Sequence, residues 1–286
     1  MYTDADGNKH YYTDQTDNYL QKNYQLLLNH SFSTAWNLNV ALHYTKGDGY
    51  YEEYKPGSSL VEYGLKPFNP DGTETNESDL VRQKKMDNKF GGGVFSLNYT
   101  GNRLTASLGG GLNQYRGNNF GKVTWVKNYI GNLSPEHEYY RNKSKKTDGN
   151  IYLKANYDLT STLSAYADLQ YRHIDYTIDG VNDKYDWNKN ALRPLAVDKK
   201  FDFFNPKVGL NWNITPNHRL YASFSVAQKE PTRNNYTDGD PDSYPKAEKL
   251  LDYEAGYTFA NPWLTAGANF YDMDYTDQLV LTGALI

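Results

Sequence analysis

Residues 90–114 read Phe90-Gly-Gly-Gly-Val-Phe95-Ser-Leu-Asn-Tyr-Thr100-Gly-Asn-Arg-Leu-Thr105-Ala-Ser-Leu-Gly-Gly110-Gly-Leu-Asn-Gln114. Apolar and polar side chains alternate on both sides of Gly101-Asn102, the pattern of two half-buried strands joined by a tight turn. Glycine at the first turn position suits a two-residue type II′ hairpin. That turn sets a register: Tyr99 opposite Leu104, Leu97 opposite Ala106, Phe95 opposite Leu108, Gly93 opposite Gly110 and Gly91 opposite Leu112. One face is then apolar throughout, while Asn98 meets Thr105 and Ser96 meets Ser107 on the other. A slip by one residue would mix the two sets.

Four further segments follow the same grammar. Tyr24, Leu26, Leu28 and Phe32 turn through Ser33 to Trp36 into Leu38, Val40, Leu42 and Tyr44. Ile151, Leu153, Ala155 and Tyr157 turn near Thr160 into Leu163, Ala165, Ala167, Leu169 and Tyr171. Phe204, Pro206, Val208, Leu210 and Trp212 turn at Thr215-Pro216-Asn217 into Leu220, Ala222, Phe224 and Val226. Leu251, Tyr253, Ala255 and Tyr257 turn around Asn261-Pro262 into Leu264, Ala266, Ala268 and Phe270.

None of these apolar-parity residues is charged, whereas the opposite parity carries Lys154, Asp168, Arg172, Lys207, Asp252 and Glu254. A cation facing lipid at the bilayer midplane costs roughly 2–4 kcal/mol, so the segregation is what a lipid-facing wall demands. Strands of ~10 residues tilted by about 45° would rise roughly 23 Å, close to an apolar band of about 25 Å. Aromatic residues flank the short turns, among them Trp36, Tyr99, Tyr157, Trp212 and Tyr257, as an interfacial girdle would. The reading is an all-β antiparallel transmembrane barrel in a Gram-negative outer membrane, with about ten up-and-down strands.

The 286 residues include 28 Tyr and carry a net charge of −4, with a mean hydropathy of −0.84. Such averages hide an apolar band made of alternate residues. No apolar run is long enough for a transmembrane helix. Without Cys there are no disulfides or thiolate metal sites. Dispersed Lys and Arg and a negative balance argue against nucleic acid as a partner. No phosphate loop or nucleophile elbow occurs, and neither a cofactor nor a metal is expected. Asp4 and Asp6 are unlike a basic leader, and five short turns facing the periplasm would put both ends outside. The chain is therefore expected to be part of a larger barrel, with the strand-like Gln278-Leu279-Val280-Leu281 near its end.

The opposite ends of the strands are joined by polar stretches at about residues 46–88, 116–148, 174–202 and 228–248, and loops of that length usually have a function. Trp125, Tyr129, Tyr139, Tyr140, Tyr185, Trp187 and Arg193 are the candidate ligand contacts there, since aromatic faces and a guanidinium suit bulky anionic or ring-bearing ligands. The bland alternative is that these aromatics form an upper girdle or pack the loops. Asp238-Gly-Asp240-Pro-Asp242 alternates carboxylates as calcium prefers, but Ser243 and Lys249 replace the Gly and Glu of an EF-hand loop, which favours a solvated turn. His43 falls on the polar parity and is expected to face the lumen. Gly91–Gly93 opposite Gly109–Gly111 would bend or open the wall.

Leu220-Tyr-Ala-Ser-Phe-Ser-Val-Ala-Gln-Lys-Glu-Pro231-Thr-Arg, with Glu254-Ala-Gly-Tyr257 and Asn269-Phe-Tyr-Asp-Met-Asp-Tyr-Thr-Asp-Gln278, resembles the C-terminal half of TonB-dependent outer-membrane receptors, most closely the Bacteroidota versions. The resemblance is specific over about residues 218–281. It implies a 22-stranded barrel of which residues 1–286 are a partial barrel domain, without the plug and the closing strands. It further implies coupling to the TonB complex through that plug, and active import of a bulky nutrient across the outer membrane. An iron-siderophore chelate leads, with cobalamin or haem as alternatives. A glycan-import barrel working with a surface lipoprotein is a further reading. An outer-membrane protease, the one enzymatic reading, would need Asp and His groups converging at the rim, and no such pairing is evident.

Overall fold

The computed structural model describes residues 2–3, 6–10, 15–66, 69, 71–129, 137–239 and 243–278. A small pair of strands, β1 (Tyr2–Thr3) and β2 (Lys9–His10), precedes the main sheet. That sheet contains β3 (Asp17–Ser31), β4 (Trp36–Ser59), β5 (Glu77–Thr100), β6 (Leu104–Val126), β7 (Glu138–Asp158), β8 (Leu163–Asp186), β9 (Ala191–Thr215), β10 (His218–Lys229), β11 (Glu248–Ala260) and β12 (Thr265–Thr276). Every strand pairs antiparallel with its sequence neighbours, giving an uninterrupted ten-stranded up-and-down meander.

Cross-strand rows show why the sequence folds this way. Leu28, Val40, Phe95, Gly110, Ile151, Tyr171 and Phe204 are successive partners across seven strands on one face. The row below it runs His30, Leu38, Leu97, Leu108, Leu153, Leu169 and Pro206. On the opposite face Asn37, Asn98, Ser107, Lys154, Asp168 and Lys207 are partners, and Lys154 Nζ lies 3.3 Å from Asp168. The apolar face is the outer, lipid-facing wall; the loops fold over the polar face, which is the inner one. His43 lies on the inner face, bonded through Nε2 to Asn113 at 2.8 Å.

Three inner-face tyrosines each lie opposite a glycine: Tyr152 opposite Gly109, Tyr166 opposite Gly209 and Tyr221 opposite Gly256. A Cβ on any of these glycines would overlap the tyrosine ring, so the missing side chain is what lets the ring lie across the neighbouring strand.

Two expectations need correction. The β5–β6 hairpin pairs Tyr99 with Ala106, Leu97 with Leu108 and Phe95 with Gly110, two residues away from the register set by a two-residue turn. Arg103 joins the turn because its guanidinium reaches the neighbouring turn, donating to the carbonyls of Asp158 and Leu159 at 2.5–2.9 Å. Gly101 does not adopt the positive φ that type II′ needs. A shift of two leaves the faces unchanged, so the apolar parity survives, and the glycine triplets are staggered rather than opposite.

The second correction concerns length. Strands β4 to β9 run 21–25 residues, well beyond ~10, and the stretches left between them shrink to 60–76, 127–137, 187–190 and, after β10, 230–247. Above the lipid band the outer face meets water, so polar residues occupy both parities while the backbone ladder continues. Hydrophobic periodicity carries no signal there. Asp240, Asp242 and residues 279–281 lie outside the described residues; Asp238 caps the helix described below and pairs with Lys184 at 3.0 Å.

Candidate functional site

Two loops turn inward at the outer end and pack on the inner wall. After β4 a 3-10 turn, Leu60–Tyr63, closes at Gly64 in the left-handed region (φ 66°). It places Leu60, Tyr63 and Leu65 against Leu80 of β5, Val123 of β6 and Tyr139 and Tyr140 of β7. After β10, Pro231 follows the strand, and a short helix, α1 (Arg233–Thr237), begins at Thr232, capped by reciprocal bonds between Thr232 and Asn235. Its Tyr236 packs on Ile174, Tyr176 and Ile178 of β8 and on Leu195, Val197 and Phe203 of β9.

Charged side chains pin both loops. Glu230 pairs with Lys146 and with Arg172, whose Nη1 lies 3.1 Å away, and Arg172 also reaches Asp148 at 2.6 Å. Burial pushes the Glu230 carboxyl up, but Lys146 and Arg172 outweigh it and hold the group below its ordinary value. Arg233 Nη2 donates to Asn142 at 2.8 Å. Under the first loop Arg82 pairs with Glu53 at 2.7 Å and donates to the Tyr63 hydroxyl at 3.3 Å, while Lys84 pairs with Asp183. The mouth of the inner wall is therefore a tyrosine-rich, arginine-bearing surface built on rigid strands.

Several donors on this surface are buried without a hydrogen-bond partner among the described residues: Tyr139 Oη, Tyr236 Oη, Ser144 Oγ and Arg233 Nη1. Burial drives the Tyr139 and Tyr140 hydroxyls upward and pushes Tyr236 up to about 12. These hydroxyls stay protonated at neutral pH and can only gain by meeting an acceptor. Among the described residues no three His, Asp or Glu groups gather as a metal site.

The structure brings some of the seven candidate contacts together and leaves others apart. Tyr139 and Tyr140 are buried in the first cluster, stacking edgewise with centroids 5.0 Å apart and with Tyr63 4.8 Å from Tyr139, and Tyr129 packs against them. Tyr185 and Trp187 form an edge-to-face pair (4.9 Å) at the β8–β9 hairpin, where Trp187 is 62% exposed and the Tyr185 hydroxyl bonds Asn190. Arg193 sits half-buried on the return strand of that hairpin. Trp125 stands apart: it pairs with Val81 on the outer-wall parity and stacks on Tyr54. Sequence reading missed Arg82, Lys146, Glu230 and Arg233 as members of the site. Glu230 and Arg233 were visible in the Lys-Glu-Pro-Thr-Arg segment, but nothing local says that this segment folds inward.

No curated protein matches the sequence. Among solved structures, the ferric-catecholate import receptor Fiu from K12 E. coli, in its closed form, matches with a TM-score of 0.58 at 14% identity, over 95% of this chain and 43% of that one. The ferric yersiniabactin uptake receptor FyuA from Yersinia pestis matches at 0.58 and 12% identity, over 91% and 36%. The copper transporter OprC matches at 0.60 and 10% identity, over 89% and 39%. The chain thus spans well under half the length of these structures, and at such identities the likeness is one of fold. A family model described as TonB dependent receptor-like, beta-barrel matches residues 2–285. With the lipid-facing rows, the up-and-down meander and the polar inner wall already in place, that match makes this chain a member of the TonB-dependent receptor β-barrel family, a family of outer-membrane transport receptors of Gram-negative bacteria.

Proposed function

We infer that the chain supplies a sector of barrel wall to a receptor that imports a ferric chelate, with energy delivered by the TonB complex through a plug seated on the polar inner face. The observation carrying this reading is the inward-folded mouth, a tyrosine-rich lining that bears the half-buried Arg82, Arg172 and Arg233 guanidiniums. An iron chelate offers a compact shell of oxygen acceptors, often anionic and aromatic, which such a lining suits. The ferric-chelate receptors of like fold support the same cargo class. Corrinoid and haem ligands are bulkier and more apolar and come next.

A glycan reading has one observation in its favour. Trp187 is exposed beside Tyr185, a platform on which a sugar ring could stack, and such a receptor would work with a surface lipoprotein. Equilibrium binding to the full-length receptor separates the readings. Ferric catecholate, ferric citrate, cyanocobalamin, haemin and a panel of oligosaccharides are titrated by intrinsic fluorescence, and growth on each as sole source is scored with and without the gene. Saturable binding of a ferric chelate, weakened at least tenfold in Arg233→Gln, is expected. Binding of a corrinoid or glycan with none of any ferric chelate would overturn the iron reading.

A further inference from the structure

On the outer wall, the first formally charged residue above the apolar band is a cation on five consecutive strands: Lys22 on β3, Lys46 on β4, Lys89 on β5, Arg116 on β6 and Lys145 on β7. These are not merely near one another. Lys22 pairs with Lys46, Lys46 with Lys89, Lys89 with Arg116 and Arg116 with Lys145, so they form one unbroken cross-strand row. On β8 and β9 the corresponding first charges are Asp175 and Asp202, so the positive sector stops at β7.

Like charges placed directly opposite on a sheet destabilise it, and here four such pairs follow in succession. All five side chains are exposed, and among the described residues none lies within ion-pair distance of a carboxylate. The acids one step further out, Asp48, Asp87 and Asp179, do not reach them. Arg116 donates its Nε to Gln114 at 2.7 Å, and its terminal nitrogens make no hydrogen bond among the described residues. A surface depression of about 520 Å³ opens over the row, lined by four cations, Lys89, Arg116, Lys143 and Lys145, and by two carboxylates, Asp87 and Asp179.

Height decides what meets this row. At about 2.3 Å of rise per tilted residue, Lys46 stands roughly 23 Å above Trp36 at its turn and Lys145 about 30 Å above Asp158. An apolar band of about 25 Å therefore ends along the row, and the cations sit in the headgroup zone of the outer leaflet. Directly beneath, on the same outer parity, come Tyr24, Tyr44, Gly91, Gln114 and Thr147, then Leu26, Leu42, Gly93 and Leu112. The row is thus continuous with a surface that holds acyl chains.

We propose that β3–β7 form a binding site for a lipid whose headgroup carries phosphate monoesters, with Lys46, Lys89, Arg116 and Lys145 contacting the phosphates and the apolar rows below holding the acyl chains. Phosphate geometry matches both the Arg fork and the Lys point charges. The bound lipid neutralises the row, so the sector is a fixed place for that lipid in the wall rather than general basic character.

The test uses the full-length receptor, purified in mild detergent and titrated by native mass spectrometry with bisphosphorylated lipid A, with the same lipid A stripped of both phosphates, and with inorganic phosphate. Wild type is expected to prefer the bisphosphorylated form at least tenfold. The variant K46Q/K89Q/R116Q/K145Q should lose that preference, whereas K66Q/K127Q/K189Q/K246Q, with the same charge removed elsewhere, should keep it. Heat-dependent gel mobility reports whether each barrel is folded. If the quadruple variant does not fold, Arg116→Gln and Lys145→Gln singly should each lower the preference at least threefold. Unchanged preference in the row variants, an equal loss in the control, or displacement of the lipid by millimolar inorganic phosphate would each overturn the assignment.

Discussion

Replacing Glu230 by Gln tests whether the loop after β10 is pinned to the inner wall by charge. The Glu230 carboxylate meets the Lys146 ammonium and both terminal nitrogens of Arg172, at 3.1 and 3.2 Å, and Arg172 is held in turn by Asp148. Gln keeps one acceptor but leaves Lys146 without a carboxylate. A charge-assisted hydrogen bond contributes about 1.5–3 kcal/mol, and removing one partner of a fully buried pair costs about 3–5 kcal/mol. Here Lys146 and Arg172 are 29% and 25% exposed against 10% for Glu230, so water screens part of the interaction. The expected loss is about 2 kcal/mol, roughly a thirtyfold rise in the open fraction of the loop. Hydrogen exchange at the amides of residues 233–237 in the full-length receptor reads that ratio directly. The acid dependence has a fixed sign. Because the folded carboxyl lies below its ordinary value of 4.5, its contribution is fully present above that pH and fades as pH falls through the lower folded value. Wild type and variant should therefore differ most near neutrality and converge in acid. Equal protection at pH 7, or a difference that acid leaves unchanged, would refute the pinning argument.

Three further outcomes follow from other parts of the wall. Gly209→Ala forces a Cβ into the Tyr166 ring and to 2.8 Å from the Ala222 carbonyl, so it should cost about 1–3 kcal/mol in urea unfolding from lipid vesicles, with part recovered in the double variant with Tyr166→Ala. Leu153→Lys puts a cation on the lipid face and should cost about 2–4 kcal/mol in the same assay, whereas Lys154→Gln, one residue along and facing inward, should stay within about 1 kcal/mol. Tyr236→Phe removes a buried hydroxyl that has no hydrogen-bond partner among the described residues, so stability near pH 7 should be unchanged or slightly raised. The folded Tyr236 hydroxyl sits at about 12 against 10.0 unfolded, so wild-type stability should fall between those values as pH rises and the Phe variant should lose that segment, read by unfolding in alkaline buffer.

What the sequence discloses about this wall depends on what each residue faces. Between the turns and the upper edge of the apolar band every outward side chain meets hydrocarbon, and a charge there carries a cost of kcal/mol. The alternation of Leu26, Leu28, Val40 and Leu42, or of Ile151, Leu153 and Ala155, is therefore sharp enough to give strand, face and neighbour together. The two-residue shift in the β5–β6 hairpin leaves the faces unchanged because the side-chain period is itself two; the turn type is not legible locally because Arg103 is held by the next turn, through contacts between residues 55 and 56 positions apart in sequence. Above the band the constraint disappears. Lys143, Lys145 and Asp179 are outward-facing strand residues, yet water accepts them as readily as any loop does, so composition there looks like loop while hydrogen bonding continues as strand. The candidate site divides along the same line. Tyr139 and Tyr140 were legible as aromatic residues near the mouth but not as residues buried by Leu60 and Tyr63, because that burial comes from a loop folding back across the lumen. The ion cluster of Lys146, Arg172 and Glu230 joins residues up to 84 positions apart, and only the inward course of the chain after Pro231 brings them together. The basic row is the exception, since each of its members is identified by position alone, as the first charge above the apolar run of its strand. Alignment of the five strands into one register is what turns five unremarkable cations into a single site.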